Sequence, residues 1–367
     1  MSQGRAFTCF TGAGAHAAVS DGWSALGGEA RFFYQEPDFV AGLAVLTADR
    51  PGAAWVRVDD DDGPLAVAAF EVERRTVAGV PVRTLRHLRV RGTPFADALV
   101  RPGADPAGLL EGMLGAVADS AVGRPHIVHL TRLRTGSPLL ALARAWGCGD
   151  IAPEANGGTS VLDTSMGSAD WEAGLSRNLR KSLRRWRNRW RAAGGADAQA
   201  MRTVDEVAGA FDAFVELEAR GWKGDSAALA NRPDDRALVR HHLLARAADG
   251  HASARLLGGA DGRPVAAQLA TTVGDTLVLH KIAYDEAAAD VAPGNLLMAD
   301  LLGDCCDDPA VARVDCCVVE PWHARWGATV EPSWQLLAHD RRTGQGLAAG
   351  AARRAAPLLG RVRRRAS

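Results

Sequence analysis

The stretch over residues 252–302 constrains the fold of this chain more than any other part. It contains three apolar runs, separated by turn sequences at 259–262 and 274–275, which predict three antiparallel strands. The third run ends near Tyr284, and the next segment has the apolar spacing of a helix. A further apolar run over 312–320 predicts a strand after that helix. The order predicts a strand–helix–strand crossover beside an antiparallel meander, and therefore an α+β fold with a mixed, mostly antiparallel sheet.

The N-terminal half shows a looser version of the same order. Two apolar runs flank an Asp-Asp-Gly sequence, which predicts a hairpin, and a strand from His126 is followed by a helix from Ser137. A segment rich in Gly, Pro, Asn and Ser covers 147–168 and predicts a domain boundary. A length of 367 residues fits about two domains. We therefore predict domains over 1–160 and 161–340, followed by a basic tail over 341–367.

Composition narrows the class of protein. The 43 basic and 43 acidic residues give a formal net charge of zero, which disfavours a globally basic nucleic-acid binder. The N-terminus lacks the charged and apolar regions of a signal peptide, and no run of about 20 apolar residues predicts a membrane span. The six cysteines form neither a disulfide framework nor a zinc motif, so we predict no metal and a cytoplasmic location. The two adjacent pairs, at 305–306 and 316–317, are predicted to be buried residues.

One helix is predicted to be unusually basic. The segment from Asp170, a plausible N-cap, to Gly194 has an apolar stripe at helical spacing. The stripe consists of Leu175, Leu179, Leu183, Trp186 and Trp190. Its remaining faces carry Arg177, Arg180, Lys181, Arg184, Arg185, Arg187, Arg189 and Arg191. A solvated helix face and a binding site for phosphates, nucleic acid or an acidic surface explain this pattern equally well.

Three further segments carry residues suited to chemistry. The Pro-Gly-Asn sequence at 293–295 opens a helix whose free N–H groups could bind phosphate, although such a sequence also punctuates ordinary helices. The sequence LEARGWKG contains Glu218 beside two glycines, which fits a substrate-facing loop or a buried tryptophan anchor. The sequence VVEPWHARWG contains Glu320 and His323, which could move protons or could be a helix cap and a packed ring.

Together these segments resemble a known family. The sequences SRNLRKSLRRWRNRW, LEARGWKG and LHKIAYDEAAADVAPGNLLMADLL, followed by PWHARWG, are similar to GNAT-superfamily acyltransferases of the cellulose-biosynthesis type. FFYQEPDF and the hairpin leading into GVPVRTLRHL resemble the same group. The resemblance covers roughly residues 31–340 in the right order. The run after LEARGWKG departs from the family's usual Gly-Thr-Ala-type turn, so the resemblance does not define the acceptor pocket.

The resemblance implies a tandem, GNAT-like architecture, related to the Fem-type aminoacyl transferases. It also implies acetyl-CoA or another acyl-CoA as donor. The pantetheine would lie along the strand at 277–284, and the pyrophosphate would meet the helix that begins near Pro293. The implied donor-binding residues are His280, Lys281, Ile282, Pro293, Gly294, Asn295 and Leu296.

The expected reaction is N-acyl transfer, most simply acetyl transfer, by direct attack of an amine or hydroxyl on the thioester. Glu218 and Glu320 are the candidate bases, and Tyr284 and His323 are the candidate proton donors. The predicted acceptor is a small molecule, a saccharide or a peptide amine. Its candidate contacts are Trp222, Lys223, Asp285, Arg177 and Lys181.

Two other functions stay open at this point. The basic helix and tail could hold RNA, as a Fem-like aminoacyl-tRNA-dependent ligase would require. Alternatively, the chain could be a non-catalytic module of an envelope or polysaccharide assembly. Binding of acyl-CoA distinguishes the main prediction from both.

Overall fold

The computed structural model describes residues 4–77, 79–90, 96–221 and 228–353. The strands in these ranges are β1 Ala6–Thr11, β2 Ala53–Asp60, β3 Gly63–Val77, β4 Val80–His87, β5 Leu99–Val100, β6 Ile127–Arg134, β7 Asp150–Asp163, β8 Gln199–Met201, β9 Ala252–Gly258, β10 Pro264–Val273, β11 Thr276–Tyr284, β12 Arg313–Asp315 and β13 Thr329–His339. The helices named below are α1 Ser20–Leu26, α2 Pro37–Thr47, α3 Leu109–Asp119, α4 Pro138–Trp146, α5 Ser168–Gly174, α6 Arg177–Ala192, α7 Val204–Arg220, α8 Pro233–Ala248 and α9 Pro293–Asp307. Among the residues described, no helix combines the length and the apolar composition needed to cross a bilayer.

The described residues divide into two compact units. The first unit is drawn from Met1–Ala30, Tyr34–Gly157 and Pro332–Ser367. The second unit is drawn from Arg31–Phe33 and Gly158–Glu331.

The first unit contains strands in the order β1-β2-β3-β4-β6-β13, with β5 paired to β3. Over the residues that the structure describes, these pairings are antiparallel except that of β4 with β6, where Thr84 lies opposite Ile127. Apolar side chains of these strands, such as Phe70 and Leu85, form one buried cluster with Met113 of α3 and Leu139 of α4.

The second unit contains strands in the order β8-β9-β10-β11-β12-β7. Among the described strands of this unit, only β11 and β12 pair in parallel. Successive β10 residues contribute to different apolar clusters, because side chains alternate across a strand. Ala270 packs in a cluster with α5, α6 and α9, whereas Leu269 packs in a cluster with α7 and α8. The sheet is therefore covered by helices on both faces.

The predicted fold class is confirmed. Each unit has a mostly antiparallel sheet flanked by helices, as an α+β fold requires. The order of elements also repeats. A three-stranded meander is followed by a crossover helix and a parallel strand, as β2-β3-β4-α3-β6 in the first unit and as β9-β10-β11-α9-β12 in the second.

Two predicted elements differ from the structure. The basic helix is not continuous from Asp170 to Gly194, because the chain is extended at Leu175 (φ −63°, ψ 147°) and restarts at Arg177. The side chain of Ser176 caps the second helix by accepting the Leu179 N–H at 3.2 Å. The strand predicted over 312–320 spans only Arg313–Asp315, because the backbone turns at a positive φ two residues later. The apolar stripe itself is confirmed, since all five of its side chains are buried or packed in the core.

The units also differ from the predicted domain boundaries. The Gly- and Pro-rich segment at 147–168 contains β7, whose end pairs with β12. The last strand, β13, pairs with β6 over Ser333–His339, so residues from 332 onwards lie with the first unit. Strand pairing across such sequence distances leaves no local signal. Residues 344–353 of the basic tail are helical, and residues 354–367 lie outside the described residues.

Candidate active site

The second unit contains a cleft at the edge of β11. The parallel ladder with β12 covers only Thr276–Val278, and β11 then continues to Tyr284. The chain after β12 follows β7 instead. The Cys316 N–H donates to the Ser160 carbonyl oxygen at 2.9 Å, and the Ser160 N–H donates to the Val318 carbonyl oxygen at 3.1 Å. The two neighbouring strands therefore diverge, and a cleft of about 660 Å³ opens between them.

Most of the predicted site residues line this cleft. All four candidate catalytic residues are present, together with five of the predicted donor-binding residues. The predicted residues that line the cleft are Glu218, Glu320, Tyr284, His323, His280, Lys281, Ile282, Gly294 and Asn295. Pro293 and Leu296 are buried in the first turn of α9.

The predicted acceptor contacts are not brought together. Arg177 and Lys181 are exposed on α6 and are absent from the described lining of the cleft. Asp285 instead caps a short 3₁₀ helix, since its side chain accepts the Ala287 N–H at 2.9 Å. Trp222 and Lys223 lie outside the described residues.

Strand β11 contains a bulge at His280, in its pairing with β10. Lys281 lies opposite Leu269 and Leu279 lies opposite Ala270, so His280 is an extra residue with no partner in the β10–β11 register. Its ring approaches Thr271, with Nε2 2.7 Å from the hydroxyl oxygen. Burial lowers the pKa of His280 to about 3. The ring is therefore neutral at pH 7 and unsuited to hold an anion by charge.

One end of the cleft is formed by the N-terminus of α9. The N-cap residue, Ala292, has a left-handed backbone and no side-chain acceptor for the Gly294 N–H; Pro293 has no N–H, and the Asn295 N–H donates to the Ala292 carbonyl oxygen at 2.9 Å. Gly294 lies close under the strand, because a Cβ at this position would come within 3.3 Å of the Tyr284 ring and 3.6 Å of the Ile282 side chain. Arg325 adds a positive charge here, since its guanidinium donates to the Asn295 amide oxygen at 3.4 Å. This end of the cleft suits an anion.

The other end of the cleft is formed by the C-terminus of α7. Glu218 is 4% exposed, and its Oε2 accepts the Leu229 N–H at 2.7 Å. Its Oε1 lies 4.0 Å from the Lys281 ammonium nitrogen. A Cβ placed on Gly221 would lie 3.7 Å from Glu286 Oε1. Carboxylates and helix carbonyls therefore make this end of the cleft the more negative one.

Glu320 and His323 lie together at the start of a 3₁₀ helix, Pro321–Trp326. The Glu320 N–H donates to His323 Nδ1 at 3.3 Å, which places the ring proton on Nε2. Burial lowers the pKa of His323, and its ring packs edge-on against Trp322. His323 is neutral at pH 7 and can donate a hydrogen bond but cannot accept a proton at Nδ1 without losing this bond.

The cleft also contains residues that the sequence did not single out. Cys316 lines it, and burial raises the pKa of this thiol to about 12. Glu286 and Arg325 line it as well. Arg325 lies in the PWHARWG motif, but its approach to Asn295 depends on the tertiary fold. Over the described part of the chain, no group of three His, Cys, Asp or Glu side chains is placed to hold a metal ion.

Comparison with protein families identifies the segment that contains this cleft. Residues 177–323 match the family model described as an acetyltransferase (GNAT) domain. The match lies wholly within the second unit and includes both ends of the cleft. Comparison with curated proteins gives no significant sequence match.

Solved structures with TM-scores of 0.57 and 0.55 share the fold over most of the chain. A conserved protein of unknown function from Bacteroides thetaiotaomicron is 11% identical, with a TM-score of 0.57 over 88% of this chain and 97% of that protein. The C-terminal domain of a putative lysylphosphatidylglycerol synthetase from Agrobacterium fabrum is 11% identical, with a TM-score of 0.55 over 91% of this chain and 95% of that domain. A tandem GNAT protein from the clavulanic acid biosynthesis pathway is 14% identical, with a TM-score of 0.48 over 90% and 98% of the two chains.

Proposed function

We propose that the second unit is an acyltransferase that binds acyl-CoA in the β11 cleft and transfers the acyl group directly to an amine or hydroxyl acceptor. The observation that carries this proposal is the divergence of β11 from β12, with the N-terminus of α9 at one end of the resulting cleft. An exposed strand edge offers amide groups to a pantetheine chain, and a helix N-terminus offers N–H groups to phosphates. The match of residues 177–323 to the GNAT family supports the same proposal.

In this proposal the donor lies along β11. The pantetheine pairs with the strand edge beyond Val278, and the pyrophosphate lies at Gly294 and Asn295. Arg325 contributes a charge-assisted hydrogen bond to the phosphates. The thioester carbonyl then lies near the bulge at His280, where backbone N–H groups stabilise the oxyanion.

The reaction is a direct displacement. The acceptor nitrogen attacks the thioester carbon, and its proton passes to a carboxylate, for which Glu218 and Glu320 are the candidates. The carbon–sulfur bond then breaks, and the departing thiolate takes a proton from Tyr284, while the neutral ring of His323 can give it only a hydrogen bond from Nε2. Tyr284 lines the cleft and is exposed there.

An acyl-enzyme intermediate is disfavoured by the state of the cleft thiol. The pKa of Cys316, about 12, keeps its sulfur protonated at neutral pH, and the thiolate is the nucleophilic form. We therefore propose a single transfer step, with acceptor and donor bound together.

The acceptor we propose is a small molecule, a saccharide or a peptide that carries an amine. Lys281 lies beside Glu218 in the cleft. Acceptor contacts from Trp222, Lys223 and Asp285 remain part of the proposal. We also propose that this chain is related to the cellulose-biosynthesis type of GNAT protein.

One observation favours a second candidate function. The exposed face of α6 is densely basic, and a Fem-like ligase that uses aminoacyl-tRNA would need such a surface for RNA. Binding of tRNA that weakens steeply with salt, without binding of any CoA species, would favour this candidate.

Calorimetric titration with acetyl-CoA tests the donor site. The wild type is expected to bind, and Gly294→Glu is expected to bind about a hundredfold more weakly. A carboxylate about 5 Å from a phosphate charge costs about 3 kcal/mol at an effective dielectric of about 20. The matched control is Gly294→Ala, whose methyl group needs only a slight shift of Tyr284. If acetyl-CoA, longer acyl-CoAs and free CoA all fail to bind the wild type, the proposal is wrong and the RNA-dependent or non-catalytic alternatives gain support.

Kinetics of two carboxamide variants test the bases. At least one of Glu218→Gln and Glu320→Gln is expected to lose most of its turnover. Full turnover in both variants would show that neither carboxylate is the base.

A further inference from the structure

The divergence that opens the cleft depends on a turn with an unusual backbone. Cys317 has a φ of +61°, a conformation that residues other than glycine seldom adopt. The turn comes two residues after the last β12 residue that pairs with β11. At this point the chain stops running beside β11 and continues beside β7.

The side chain of Asp315 holds this turn. Asp315 is 5% exposed, and its Oδ1 accepts the Cys317 N–H at 2.7 Å. The same oxygen accepts the Thr159 hydroxyl, also at 2.7 Å, and Thr159 is itself 1% exposed on β7. The carboxylate therefore ties the left-handed turn to the neighbouring strand.

Asp315 lies where the two strands separate. It pairs with Val278 on β11 and with Val161 on β7, and it is the last β12 residue in either ladder. Beyond it, the hydrogen bonds of Cys316 and Val318 to Ser160 keep the chain on β7. Without a fixed turn at Cys317, the chain could continue straight and pair with the edge of β11, which would close the cleft.

We propose that Asp315 is a positioning residue, which stabilises the left-handed turn at Cys317 and thereby keeps the edge of β11 open for the donor. The inference rests on the proposed function only in naming the donor as acyl-CoA. Asp315 does not contact the donor in this proposal and acts through the backbone of residues 316–318.

The test is a rescue experiment built on the preference of glycine for positive φ. Asp315→Ala is expected to weaken CoA binding at least tenfold, measured by calorimetry, and to raise KM for acyl-CoA more than it lowers kcat. Asp315→Asn keeps an oxygen acceptor for the Cys317 N–H and is expected to stay close to wild type. The double variant Asp315→Ala/Cys317→Gly is expected to recover most of the binding, because glycine adopts the turn without the carboxylate.

Cys317→Ala provides the matched control. Asp315→Ala/Cys317→Ala also lacks the thiol but keeps the backbone preference against positive φ, so it is expected to remain as weak as Asp315→Ala. Equal recovery by the alanine and glycine double variants would overturn the proposal, and so would an Asp315→Ala variant that binds CoA as tightly as the wild type.

Hydrogen–deuterium exchange separates this proposal from the proposed function. In Asp315→Ala, the cleft-facing amides of Leu279–Tyr284 are expected to exchange more slowly than in the wild type, as the strand edge becomes paired. The glycine double variant is expected to restore the faster exchange. This readout needs no CoA, so it holds even if the wild type binds no CoA species. Unchanged exchange in Asp315→Ala would overturn the positioning role.

Discussion

Two buried titratable groups shift the stability of the first unit with pH in opposite directions. His87 is 3% exposed, with Nε2 3.1 Å from the Thr131 carbonyl oxygen, and burial lowers its pKa to about 3. Asp97 is fully buried, and its Oδ1 accepts the Ala98 N–H at 2.7 Å. Burial raises the pKa of Asp97 to about 6. Each pKa shift disfavours the charged form, so each group couples the free energy of unfolding to pH.

The size of each effect follows from proton linkage. An unfolded histidine has a pKa of about 6.5, so acidification from pH 7 to pH 5 protonates His87 in the unfolded chain alone and lowers the free energy of unfolding by about 2 kcal/mol. An unfolded aspartate has a pKa of about 3.9 and is ionised throughout this range. Folded Asp97 takes up its proton between pH 7 and pH 5, which raises the free energy of unfolding by about 1.3 kcal/mol. The two effects largely cancel in the wild type.

Urea unfolding of the full chain at pH 5, 6 and 7 separates the two groups. Relative to His87→Gln, the wild type is expected to lose about 2 kcal/mol of unfolding free energy from pH 7 to pH 5. Relative to Asp97→Asn, it is expected to gain about 1.3 kcal/mol over the same range. At each pH, the free energy of unfolding of the variant is subtracted from that of the wild type. Groups that titrate alike in the two proteins cancel in this difference. A difference that does not change with pH would refute the shifted pKa of the group concerned.

Three further predictions concern the second unit. Cys316→Ser is expected to keep most of its turnover, because the protonated thiol takes no covalent part; mass spectrometry should find no acyl group on Cys316 after incubation with acyl-CoA. Trp190→Ala is expected to cost about 3–5 kcal/mol in urea unfolding, since the buried indole fills a core position and donates to the Ala196 carbonyl oxygen at 2.7 Å. Ser176→Ala is expected to cost about 1 kcal/mol by the same measurement, through loss of the α6 cap, whereas Ser176→Asp should keep most of the stability.

Local patterns predicted the parts of the structure that depend on neighbours in sequence. The apolar stripe of α6 is visible because a helix brings every third or fourth residue to one face. The β9-β10-β11 meander is visible because turn sequences separate its apolar runs. The Pro-Gly-Asn sequence correctly marked the start of α9, since proline suits the first turn of a helix.

The shape of the cleft could not be predicted in the same way. The residues from Cys316 to Glu320 have the composition of a strand, but Cys317 adopts a positive φ that its residue type does not indicate. Arg325 approaches Asn295 across 30 positions of sequence. The carboxylate of Asp315 meets Thr159 across 156 positions. Such contacts depend on which strands are neighbours, and a single sequence does not contain that information.

The segment that matches the acetyltransferase (GNAT) family model is smaller than the segment that forms the cleft. The match to the GNAT family begins at residue 177, and the predicted domain begins at residue 161. Both exclude Thr159, which donates to the Asp315 carboxylate that stabilises the turn at Cys317. Both also exclude Ser160, whose hydrogen bonds keep Val318 beside β7 and away from β11. A cut after residue 160 would remove these bonds while leaving in place the motifs of the second unit, from SRNLRKSLRRWRNRW onwards. Those motifs contain the groups that would bind the donor, but the space between the strands is created by a strand that begins before the first of them.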